Sequence, residues 1–350
     1  MAKKDIVVIG ASAGGMQALE QVVAGLPLDY AGSIFIVWHL APGVESVLPS
    51  VLQKLGPLPA AHPQDGDAIA PGRLYVAPPD HHMLLERGYI RVTRGPKENR
   101  FRPAVDPLFR SAAYVYGTRA VGVVLSGALD DGTSGLWVMK LRGSTTVVQE
   151  PADALYRSMP INALDSVAVD YRLPAAKIGA LLGRLAHEEA PAPLALPERQ
   201  RKLLEHEVKI AAEHEALEER VMDYGELSAF TCPECHGVLT LLKEGRIVRF
   251  RCHTGHAYSS DTLLQSTTEL AEARLWDAVR ALDETVMLLS DLGRQFARAG
   301  NTKAAEFCFD RAREAHQRSQ PIREAANAND ALSADELRGG EKKTAKEPAA

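Results

Sequence analysis

The chain has 350 residues, 46% of them hydrophobic and 24% charged, with a formal net charge of -5. This is the composition of an ordinary globular protein, long enough for about two domains and a sizeable buried core. The acidic balance argues against nucleic acid or an anionic membrane as the main partner, and no apolar run approaches the roughly 18 residues of a membrane span.

From residue 5 to about 187, short β-branched runs alternate with amphipathic stretches. The apolar part of "MAKKDIVVIG" is too short for a secretory signal. "DIVVIG" predicts a strand, "MQALEQVVAGL" a helix, and "SIFIVWH" and "GRLYVAP" two further strands. "HHMLLERGYIRVTRG" predicts a β-hairpin over 81–95, with His81 and His82 on its surface. "AVDPLFRSAAYVYG" reads as a helix opened by Asp106 and Pro107. The strands "AVGVVLSG", "STTVVQE" and "DSVAVD" follow, the first two separated by the helical "SGLWVMKLR". Continuous apolar strands alternating with helices predict an α/β fold, a doubly wound and mostly parallel sheet.

The proline-rich "EEAPAPLALPE" predicts a linker over 188–198. A helical accessory module is expected over 199–327, interrupted by a cysteine-containing insert at 228–258. In its helices Leu282, Val286 and Leu289 keep three- and four-residue spacing, and Cys308 faces the core. Residues 328–350 are polar and expected to be a disordered tail.

The segment "VVIGASAGGMQALEQV" carries the first chemical signal. A dinucleotide fingerprint needs a glycine where Ser12 stands, and an acidic residue where the next strand ends in His39. A P-loop needs a Lys-Ser or Lys-Thr pair that is missing here. Gly10, Ser12 and Gly14 instead form G-x-S-x-G, which places a serine on a sharp strand-to-helix turn beside N–H groups able to hold an oxyanion. His39 at the end of a neighbouring strand would be the base, and Asp130 or Asp131 in "LSGALDDGTSGL" the acid. Each alone could be structural: Ser12 a helix cap, His39 a hydrogen-bonded strand-end histidine, either aspartate an N-cap. Their joint appearance after three strands of one sheet favours a triad in the order Ser, His, Asp, unlike that of α/β-hydrolases.

"VVIGASAGGMQAL", "FIVWHLAPG", "YVAPPDHHMLL", "RPAVDPLFRSAA", "LSGALDDGTSGL" and "SMPINAL" together resemble the catalytic domain of CheB, the chemotaxis protein-glutamate methylesterase, over about residues 3–187. The resemblance implies Ser12 as nucleophile, His39 as general acid/base, and Asp131, immediately before Gly132, as the residue orienting the imidazole. It implies hydrolysis of glutamate γ-methyl esters on the cytoplasmic helices of chemoreceptors, with deamidation of receptor glutamines as a related activity and no cofactor for catalysis. A cytoplasmic location follows, and the C-terminal helices could recruit a receptor or sensor kinase. Ala13 and Ala128 stand where the family often has threonine and methionine, which keeps open a catalytically weak or inactive signalling protein on the same fold. The first catalytic strand begins at residue 5, so no preceding receiver domain, and no control by aspartyl phosphorylation in cis, is expected.

Only four cysteines occur, and three lie in "FTCPECHGVLTLLKEGRIVRFRCHTGHAYS". Cys232 and Cys235 form a C-x-x-C knuckle; Cys252 and His256 follow a hairpin-like stretch, with His236 and His253 as alternative ligands. This spacing suits a zinc-ribbon-like structural site and a reducing compartment rather than a disulfide framework.

Overall fold

In the computed structural model the described residues are 2–39, 46–192, 194–213 and 221–329. The expected tail at 328–350 lies almost wholly outside them. The elements run β1 (Ile6–Ala11), α1 (Gly15–Ala24), β2 (Ser33–Trp38), α2 (Leu48–Leu55), β3 (Ala60–Ala61), β4 (Arg73–Val76), β5 (His82–Glu86) and β6 (Tyr89–Thr93). Next come α3 (Val105–Tyr116), β7 (Ala120–Val124), α4 (Thr133–Leu141), β8 (Thr145–Gln149), α5 (Ser158–Ser166), β9 (Tyr171–Leu173), α6 (Ala175–Leu185) and α7 (Glu198–Ala211). The last are β10 (Glu226–Thr231), β11 (Val238–Glu244), β12 (Ile247–Cys252), β13 (Ala257–Ser259), α8 (Ser260–Arg298) and α9 (Thr302–Ala328).

Seven strands form one parallel sheet in the order β3-β4-β2-β1-β7-β8-β9. Alternation along β1 sends Val7 and Ile9 to a core shared with α1 and α6, and Ile6 and Val8 to one shared with α3 and α4. Both faces are therefore buried at the centre of the sheet, which is why β1, β2 and β7 are almost wholly apolar. The chain moves outward from β1 to β2 on one side and from β7 to β8 on the other. The ends of β1, β2 and β7 thus meet at a topological switch point, where sheets of this type hold their ligands.

The predicted hairpin is present as β5–β6, but His82 is fully buried. Its ring bonds to the Pro96 carbonyl through Nε2, at 2.9 Å, and burial holds its pKa down. "DSVAVD" is not a strand. Its first two residues complete α5, Val167 N–H closes that helix on Ala163 O, and the last strand is β9. Asp170 instead accepts from Thr146 N–H and Oγ1 at the start of β8.

The chain divides into two compact units, Met1–Leu263 and Leu264–Ala350. The first includes α7 and the Cys/His segment, so the structure groups these with the sheet rather than with the helices that follow. Here β10-β11-β12-β13 form an antiparallel sheet. In the second unit α9 buries Ala305, Cys308, Ala312 and Ala315 along one stripe, and Arg323 pairs with Asp283 of α8 at 2.6 Å.

Candidate active site

The turn between β1 and α1 depends on two glycines. Gly14 has φ +67°, a conformation that a residue with a Cβ rarely adopts. A Cβ on Gly10 would lie 2.3 Å from Val105 Cγ1 of α3. Ser12 between them donates its N–H to Ser126 O beyond β7 (3.0 Å), and its own carbonyl accepts from Trp38 Nε1 (2.9 Å) and Gly15 N–H. The serine is thereby tied to the ends of β2 and β7.

His39 directly follows β2 and donates its N–H to Ala11 O at 3.2 Å. Its Nδ1 lies 3.0 Å from Ser12 Oγ and its Nε2 lies 2.8 Å from Asp131 Oδ2. With Nε2 protonated and donating to the carboxylate, Nδ1 keeps a lone pair to accept the serine hydroxyl. Phe101 stacks on the imidazole, centroids 3.9 Å apart and planes 11° apart.

Asp131, 1% exposed, is surrounded by donors. Besides His39, Oδ2 accepts from Val105 N–H (2.7 Å); Oδ1 accepts from Asn99 Nδ2 (2.8 Å), Gly132 N–H (3.0 Å) and Asp106 N–H (3.3 Å). Burial pushes the carboxyl up, but the bond to His39 and its charge, with the Val105 and Asn99 donors, outweigh this and hold it below the usual range. Two neighbouring carboxyls go the other way: burial and the Asp131 charge push Asp106 up to about 7, and burial pushes Asp130 up to about 8. Asp130 points elsewhere, accepting from Ser259 Oγ at 2.7 Å. The structure thus brings Ser12, His39 and Asp131 together and leaves Asp130 out.

Among the described residues, no hydrogen bond engages the N–H groups of Ala13 and Gly14, which follow Ser12, or of Ala128, which follows Gly127. Asn99, Phe101 and Trp38 also join the site, although sequence reasoning singled out none of them. Asn99 and Phe101 sit in a loop, "KENRF", whose only sequence signal is its position just ahead of α3.

Cys232, Cys235, Cys252 and His256 converge in the second sheet, their ligand atoms all within 4.8 Å of one another. Cys235 Sγ lies 3.6 Å from Cys252 Sγ, and His256 Nδ1 lies 3.7 Å from both Cys232 Sγ and Cys252 Sγ. A tetrahedral zinc with ordinary bond lengths spaces such atoms by about 3.6–3.8 Å. Thr254 Oγ1 donates to Cys235 Sγ at 3.1 Å, the kind of bond that orients a thiolate ligand.

The family model described as CheB methylesterase matches residues 7–182. A protein of Anaeromyxobacter dehalogenans named protein-glutamate methylesterase/protein-glutamine glutaminase 2 is 39% identical over 184 residues, covering 53% of this chain and 54% of that one. A similarly named protein of Leptospira interrogans is 36% identical over 182 residues, covering 52% of this chain and 94% of its own length. This chain thus spans about half of the first relative and nearly all of the second. The crystal structure of the Thermotoga maritima CheB methylesterase catalytic domain superposes with a TM-score of 0.51 at 32% identity, covering 53% of this chain and 99% of that one. The family model covers half of the chain and the solved catalytic domain shares its fold, and the chain belongs to the CheB methylesterase family.

Proposed function

We propose that this protein is a protein-glutamate methylesterase that hydrolyses glutamate γ-methyl esters on the cytoplasmic helices of chemoreceptors, and that it deamidates receptor glutamines by the same route. The observation that carries the reading is the continuous chain from Ser12 Oγ through His39 to Asp131, at 3.0 and 2.8 Å. Ser12 Oγ attacks the ester carbonyl while its proton passes to His39 Nδ1. Asp131 holds the ring by Nε2 and stabilises the imidazolium. The N–H groups of Ala13, Gly14 and Ala128 are the donors available to the oxyanion. Collapse of the tetrahedral intermediate returns the proton from His39 to the departing methoxide, giving methanol and a glutamyl ester of Ser12. Water, losing its proton to His39, then cleaves that ester to glutamate and free serine.

In this reading Cys232, Cys235, Cys252 and His256 hold zinc. Four protein ligands close the coordination sphere, so the metal would stabilise the small antiparallel sheet and take no part in turnover.

The test is methanol release from a methylated chemoreceptor fragment by the wild-type chain and by Ser12→Ala. The reading predicts release that falls about 10³-fold or more in the variant. Undiminished release from Ser12→Ala would overturn it.

A further inference from the structure

One buried side chain bonds both to the triad and to the Cys/His segment. Asn99 is 3% exposed and sits at φ +50°. Its Nδ2 donates to Asp131 Oδ1 at 2.8 Å and to Asp106 Oδ2 at 3.0 Å. Its Oδ1 accepts from the Ser259 N–H at 3.0 Å and the Thr262 hydroxyl at 3.3 Å. Its own N–H donates to Ala257 O at 2.8 Å. An asparagine amide has two donors and an oxygen with two lone pairs, and all four positions are used.

The orientation of the amide is therefore fixed from two sides, by the Asp131 carboxylate, which can only accept, and by β13 beyond it. A backbone N–H can only donate, so the Ser259 N–H claims the amide oxygen and leaves the amide nitrogen for the carboxylates. Without that donor the amide nitrogen would still face Asp131, but its oxygen would lose a partner that fixes the plane of the amide. The loop is also gripped one residue earlier. Glu98 pairs with Arg251 of β12 at 2.7 Å and with Arg110 of α3. Ala257, the first residue of β13, directly follows His256, and Cys252 N–H donates to His256 O at 3.0 Å. The candidate metal ligands and the strand that holds Asn99 thus share one short stretch of backbone.

We propose that Asn99 is a positioning residue for Asp131, oriented by β13 of the Cys/His segment, so that the triad is completed only when that segment is seated on the catalytic sheet. This rests on the reading of Ser12 as nucleophile and deepens it: the segment is a control point for turnover. Asp131 is faced by His39 from the end of β2, by Asp106 of α3 with Arg110 behind it, and by its neighbour Asp130.

The experiment uses the full chain, with ester hydrolysis followed across pH. Asn99→Gly accepts the positive φ and keeps the backbone bond to Ala257 but removes the amide. It should lower kcat about 10²-fold, the cost of a misplaced catalytic group, with KM unchanged. The acid limb of kcat/KM should move upward, because a carboxylate that has lost a donor holds the imidazolium proton more firmly. Thr262→Val, which removes one donor to the amide oxygen and the hydroxyl that shares the Ser259 N–H, should lower kcat in the same direction. Combining the two should cost no more than Asn99→Gly alone, since both act through one amide. An Asn99→Gly chain within threefold of wild type, a loss confined to KM with an unmoved pH profile, or multiplicative losses in the double variant would overturn the proposal. Ser12→Ala is assayed alongside. If it stays active, the nucleophile assignment fails and this inference with it; if it is silent while Asn99→Gly is unimpaired, this inference alone fails.

Discussion

Glu207→Gln tests whether buried charge holds α7 and the Cys/His segment to the catalytic sheet. Glu207 is 0% exposed, and its Oε2 lies 2.7 Å from both Arg249 and Arg251, with Arg110 Nε at 3.6 Å. The guanidiniums of Arg110, Arg249 and Arg251 face the carboxylates of Glu98, Glu207 and Glu244, which leaves the cluster near neutrality. Burial pushes the Glu207 carboxyl up, but the three arginines outweigh it and hold it well below the usual range. Glutamine preserves the shape and leaves one guanidinium charge uncompensated. Two charges about 4 Å apart are worth roughly 4 kcal/mol at an effective dielectric near 20. Two such pairs are lost, less the desolvation of the carboxylate that no longer has to be met. The net matches the roughly 3–5 kcal/mol typical of removing one partner from a buried ion pair. For a unit of this size each kcal/mol moves the midpoint by about 2–4 °C, so Tm should fall by about 6–20 °C. Circular dichroism melts at pH 7 measure this. A carboxyl whose folded pKa is depressed stabilises above its unfolded pKa and loses that contribution as pH falls through the folded value. The gap between the two proteins should therefore narrow in acid. A variant melting within about 2 °C of wild type at pH 7 would refute the reasoning.

Asp130 and Asp106 predict the opposite pH trend. With folded pKa values pushed up to about 8 and about 7, the native state binds protons that the unfolded chain has released. Stability contributed by each group falls as pH rises from about 4 toward the folded value, by up to ~1.4 kcal/mol per unit. Asp130→Asn should flatten that slope between pH 6 and 8 in urea melts, and an unchanged slope would count against it. The metal reading predicts one zinc per chain by elemental analysis and less than a tenth of that in Cys252→Ala. A metal-free wild-type chain that is fully folded would end that reading.

The parallel sheet covered on both faces could be anticipated because β1, β2, β7 and β8 are short, largely apolar or β-branched runs alternating with helices. The Gly10-Ser12-Gly14 spacing was equally legible, since a turn this tight tolerates few residues. "DSVAVD" misled because a short β-branched run says nothing about the helix entering it from "SMPINAL". His82 misled because alternation along a hairpin does not reveal what covers each face; Ala104 N–H and the Pro96 carbonyl enclose that ring.

By itself the sequence determined the α/β alternation, the serine on its glycine turn, the histidine at the next strand end and the four-ligand Cys/His spacing, all features set by local period or short separation. Residue patterning left Asp130 and Asp131 both open and the family resemblance favoured Asp131; the tertiary structure sets Asp131 against His39 and Asp130 against Ser259, brings Asn99 and Phe101 to the site, and seats the Cys/His segment on the catalytic unit. Those choices depend on which groups face one another across distant parts of the chain. Asn99 and Ser259 are 160 residues apart, and no local pattern records that one hydrogen bond joins them.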